Sequence, residues 1–140
     1  MIYNLNDLGF PFIYSSLFTN SKTLKERPQV VQKTVAALAE AVHFVEENPG
    51  RAMAAVGNTL RIKDADTLRS ADEAYAKNLI NRRMIVPAKL VAETLDIARD
   101  DGMKIRRKPS EIFDNSFVER LETSGFMKEL WGGALEERRQ

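Results

Sequence analysis

Residues 28–47, PQVVQKTVAALAEAVHFVEE, restrict what this chain can become more than any other stretch. Pro28 stands at a favoured first helical position, and Asn48-Pro49 ends the run because the residue before a proline resists the α region. Between them Val31, Val35, Leu38, Val42 and Val45 recur at helical spacing, and Val30, Ala37, Ala41 and Phe44 widen the stripe. Lys33, Glu40, His43 and Glu47 fall on the other side. The result is a long amphipathic helix whose broad apolar face has to be covered by a sheet or by several helices.

The rest of the chain is read by what it offers to cover that face. With 140 residues, 44% hydrophobic and 29% charged, it has material for one domain or part of one. Residues 6–12 read as a loop, with Gly9 and Pro11. Phe12–Thr19, FIYSSLFT, is apolar without strict alternation and predicts a strand buried on both faces, which in turn needs neighbouring strands. Ser21 is expected to cap a short turn. Pro49 opens a helix to about Leu60. Asp64 caps another over 65–80, with Leu68, Ala71, Tyr75 and Leu79 inward. Pro87 starts the next, with Leu90, Val91, Leu95 and Ala98 inward and Gly102 as its stop. Ser110–Phe113 is a short turn, Asp114 caps 115–124, Gly125 ends that helix, and Phe126–Trp131 forms a last apolar turn. The expected organisation is a strand region over 1–20, a helical segment over 28–131 and a charged tail over 132–140. The fold class is mainly α with one or two β-strands.

The chemistry these residues offer is sparse. With no cysteine there is no disulfide, thiolate or Cys-based metal site. The formal net charge of +1, from 21 basic and 20 acidic residues, creates no field favouring nucleic acid. No apolar run approaches the roughly 20 residues of a membrane span. His43, the sole histidine, is close in sequence to Glu40 and Glu47, but a metal site needs more fixed ligands, and a solvated surface histidine is the expectation. Glu46-Glu47, Asp64-Asp66, Asp72-Glu73 and Asp100-Asp101 read as helix-end or polar-face carboxylates rather than a general acid–base pair. Lys104, Arg106, Arg107 and Lys108, like Arg82-Arg83, read as solvated connectors. No catalytic residue, metal ligand or cofactor is assigned. The aromatics Phe10, Phe12, Tyr14 and Phe18 either line a cleft or belong to a core.

The order of these pieces resembles a known family. Phe10-Pro11-Phe12, Leu17-Phe18-Thr19, Pro28, the Ala-rich stretch Ala36–Ala41 and Asn48-Pro49 follow one another as in the substrate-binding proteins of ABC importers of the nitrate/sulfonate/taurine type, which include binders of thiamine pyrimidine precursors. The likeness runs on through Tyr75 to Ile112–Val118 and Gly125-Phe126. It implies the C-terminal portion of a periplasmic-binding-protein-like α/β fold of the second type, with a strand returning to a first lobe and helices packed on it. It implies no enzyme activity, a small organic or anionic solute, and an ABC permease as partner. Phe10 and Tyr14, where the loop meets the strand, are the candidate ligand-binding residues. Complete members are periplasmic or extracellular; the sequence has no signal peptide, so a chain truly starting at Met1 is expected to stay in the cytoplasm. The same expectation of a missing half predicts exposed apolar surface and a homo-oligomer. The alternative function is a free-standing helical module that oligomerises through Val31, Val35, Leu38 and Val42. A pyrimidine-synthase relative is a third reading, with only His43 to offer chemistry.

Overall fold

The protein is described from a computed structural model over residues 13, 16–76 and 81–132. In chain order the α-helices are α1 (Ser21–Glu26), α2 (Pro28–Glu47), α3 (Pro49–Leu60), α4 (Ala65–Ala71), α5 (Ala88–Asp100), α6 (Ser116–Thr123) and α7 (Phe126–Leu130). A π-helical turn, Asp72–Ala76, follows α4, and a 3-10 turn, Pro109–Glu111, precedes α6. Among the described residues there is no strand. Of the strand expected over 12–19, Ile13 and 16–19 are described and have no ladder pairing, with Leu17 and Phe18 open to solvent. Phe12, Tyr14 and Ser15 lie outside the described residues. The architecture of the described residues is therefore helical, and of the two coverings open to α2, a sheet or several helices, helices supply it.

Chain contacts divide the molecule into two compact units, Met1–Phe18 with Val86–Asn115 and Thr19–Ile85 with Ser116–Gln140. The core of the second is a cluster of Val31, Val35 and Ala39 from α2, Phe117, Val118 and Leu121 from α6, Met127 from α7, and Trp131. Burying each of the large members contributes about 1.5–3 kcal/mol. The buried register of α2 is turned from the expected one. Ala39, fully enclosed, sits on the inner line, while Leu38 is exposed. The small side chain lets α6 and α7 approach the α2 backbone closely, which a leucine would prevent. The crossing of α2 and α6 is pinned by Gln32, whose Nε2 donates to the Phe117 carbonyl (2.9 Å) and whose Oε1 accepts from Arg120 Nε (2.8 Å).

Local signals explain the helix ends. α1 is capped by Asn20, one residue before the expected Ser21, its Oδ1 accepting from the Thr23 N–H at 2.8 Å. α2 and α3 both begin on proline. Between α3 and α4 the chain packs so closely on Gly57 that an added Cβ would lie 3.0 Å from both the Ile62 carbonyl oxygen and Leu68 Cδ1. α4 is shorter than the helix expected over 65–80, its regular turns giving way to the π-helical turn; Leu68 and Ala71 are half-buried as expected, and residues 77–80 lie outside the description. In the first unit α5 begins after Pro87 and ends before Gly102, whose φ of 87° is a left-handed conformation suited to glycine. Val86 and Asn115 then close the segment: the Asn115 side chain accepts from the Val86 N–H and donates to its carbonyl, both at 3.0 Å. α6 begins at Ser116, one residue beyond the start expected from Asp114.

Candidate functional site

Two features of the second unit stand out, on opposite faces of α2. The inner one gathers residues whose separation in sequence hides their association. Glu46 follows Ala39 and Val42 on the core-facing line of α2, and its side chain is only 8% exposed. A buried carboxylate needs a partner, and Arg82 supplies it: Nη2 lies 2.6 Å and Nε 2.9 Å from Glu46 Oε2. The Arg82 guanidinium also lies over the Trp131 ring, 4.8 Å from its centroid. His43 meets that same indole edge-on, with centroids 4.8 Å apart. The hydrogen bond to Glu46 raises the Arg82 pKa, against the opposing effect of its own partial burial, so its charge is permanent at any working pH.

These contacts correct two expectations. Arg82 and Arg83 are not a solvated connector: Arg83 reaches Glu122 of α6, with Nε 2.8 Å from Oε1, while Arg82 holds α2. His43 is not a free surface histidine, since Trp131 covers one edge of it. The sole tryptophan was a visible signal that something packs at the end of the chain, but a pairing 36 positions apart, such as Arg82 with Glu46, leaves no local trace. The assembly is a structural clamp: the Glu46 carboxylate is engaged by two nitrogens of the Arg82 guanidinium, which joins the chain after residue 80 to α2. Among the described residues no group of three or more His, Asp or Glu side chains is placed to hold a metal ion.

The outer feature is a shallow apolar groove of about 580 Å³ between α2 and α3, lined by Ala37, Ala41, Phe44 and Val45 on one side and Ala52 and Val56 on the other. Alanines on both walls leave the trough, and Arg51 closes over one end with its guanidinium 5.3 Å from the Phe44 ring centroid. Of the residues singled out from sequence, Phe10, Phe12 and Tyr14 lie outside the described residues, and Phe18 is 85% exposed. Lys104, Arg106, Arg107 and Lys108 are exposed as expected, with Arg107 facing Glu111 at 3.6 Å. Asp64 caps α4 as expected. No helix among the described residues is long and apolar enough to cross a membrane.

Comparison with known proteins places the N-terminal part of the chain. Residues 1–52 match the family model described as NMT1/THI5 like. The matched stretch runs through α1 and α2 to the start of α3 and holds the first part of the resemblance to nitrate/sulfonate/thiamine-precursor-type ABC substrate-binding proteins, from Phe10 to Asn48-Pro49; over that stretch the resemblance is shown, and the match does not extend to Tyr75, Ile112–Val118 or Gly125-Phe126. No curated protein and no solved structure shows significant similarity to the chain.

Proposed function

We propose that this chain is a solute-binding component of an ABC importer, contributing the helical portion that follows the returning segment of a two-lobed binding protein. The observation that carries the reading is the family match over residues 1–52, which supports a solute-binding role in ABC transport. The solute is a small organic or anionic molecule of the sulfonate, nitrate, taurine or pyrimidine class. Phe10 and Tyr14 contact it from the cleft side, and closure of the lobes around it prepares docking to a membrane permease. Catalysis is no part of this reading.

The test is thermal denaturation of the protein with a panel of taurine, other sulfonates, nitrate and pyrimidines. A solute that binds only the native state raises the midpoint, by an amount that grows with concentration over Kd. Tyr14→Ala and Phe10→Ala are expected to remove most of that shift while leaving the ligand-free melting curve unchanged. If no compound moves the midpoint, the transport reading loses its support. The interaction-module alternative, in the form that uses Val31 and Val35, does not hold: both are buried in the chain's own core and are unavailable to a second molecule.

A further inference from the structure

α2 carries a second seam, on the face turned away from the core. Val30, Thr34, Ala37, Ala41 and Phe44 follow one another at spacings of four, three, four and three residues, the repeat by which one helix packs along another. Val30 is 55% exposed, and Thr34, Ala37, Ala41 and Phe44 are exposed too. Thr34 turns its hydroxyl back onto the Val30 carbonyl at 2.9 Å, which satisfies its polar atom locally. The seam runs into the alanine-lined groove between α2 and α3.

We propose that this face is a homodimer interface in which α2 packs antiparallel against α2 of a second copy, the axis passing near Ala37. Charge and size both select this occupant. Lys33 and Glu40 flank the seam on the same side, both exposed. Antiparallel pairing about Ala37 brings Lys33 of each copy opposite Glu40 of the other, whereas parallel pairing would set both against the other flank of the seam, the apolar Leu38 and Val45, with no opposite charge to meet. The same two-fold relation puts Val30 opposite Phe44 at each end and leaves the small Thr34, Ala37 and Ala41 in the middle, where the backbones come closest. An isologous contact of this kind closes on itself and buries the exposed Leu38 at its rim. The interface is independent of the solute-binding reading, because nothing in it depends on a ligand.

Sedimentation equilibrium of the full chain, at low salt and across protein concentration, tests it. A dimer of the 15.8 kDa chain is expected in the micromolar range. Ala41→Glu places a charge in the seam and is expected to give a monomer with an unchanged helical circular dichroism spectrum. Lys33→Glu and Glu40→Lys each set two like-charge pairs across the axis and are expected to weaken association by about tenfold. The double variant, Lys33→Glu with Glu40→Lys, restores the opposite signs and is expected to dimerise like the parent. A monomer at about 100 µM overturns the proposal. So does a dimer indifferent to Ala41→Glu, or charge variants whose double exchange fails to restore association.

Discussion

Asp64 shows how much one side chain can determine locally. Its Oδ2 accepts from the Thr67 N–H at 2.7 Å and from the Thr67 hydroxyl at 2.5 Å, so one carboxylate oxygen fixes the first turn of α4. Those two bonds, the hydroxyl's foremost, hold the Asp64 pKa below the ordinary aspartate value. The sign of the consequence follows by linkage. A carboxylate whose folded pKa lies below its unfolded one contributes in full above the unfolded value, and the contribution drains away as pH falls through the folded value. The parent protein is therefore expected to lose melting temperature on acidification below about pH 4. Asp64→Asn keeps a capping oxygen but has no proton to gain there. Its melting curve is expected to fall less steeply over the same range, and parallel pH series on the two proteins check this. Asp64 was legible in sequence because a cap needs only its own neighbours.

The helices themselves were legible for the same reason, and their partners were not. Prolines at 28 and 49 and Gly102 mark ends that depend on backbone geometry within a few residues, and each stands where the sequence placed it. The buried line of α2 could not be read to the residue, because Leu38 and Ala39 are both apolar, and only the close approach of α6 and α7 decides between them. Phe10 and Tyr14, the candidate site, rest on the order of family motifs, and residue chemistry alone would not have selected them. The Glu46–Arg82–Trp131–His43 clamp was invisible because it joins α2, the chain following residue 80, and the end of α7. Its energetic weight can be estimated. Arg82→Ala leaves Glu46 buried without its guanidinium. Loss of one partner from a fully buried pair costs roughly 3–5 kcal/mol, and Arg82, 23% exposed, lowers the expected cost to about 2 kcal/mol. Arg82→Lys keeps the charge but loses the two-point fork and the planar stack on Trp131, and should recover only part of the loss. Removing both partners should cost less than the sum of the single changes, with a coupling of about 1–2 kcal/mol in a double-mutant cycle read by urea denaturation.

At the scale of the whole chain, the order of the two units along the sequence carries a prediction. The unit built on α2, α6 and α7 is interrupted after Ile85 and resumes at Ser116. The intervening segment begins at Val86 and ends at Asn115, and the mutual hydrogen bonds of those two residues bring its ends together. A segment whose ends already meet imposes little on what it interrupts, since the entropy of closing a loop grows only slowly with its length. The cluster of Val31, Val35, Ala39, Phe117, Val118, Leu121, Met127 and Trp131 draws nothing from residues 86–115. A chain carrying Thr19–Ile85 joined to Ser116–Gln140 by a short Gly-Ser turn is therefore expected to fold alone. It should melt cooperatively by far-ultraviolet circular dichroism, with Trp131 fluorescence reporting the same transition. Met127→Ala in this shortened chain opens a cavity at the fully enclosed centre of the cluster and should cost about 2–5 kcal/mol, as it does in the parent. Non-cooperative melting of the shortened chain, or a Met127 effect present only in the parent, would mean that the helical core depends on the segment it encloses in sequence.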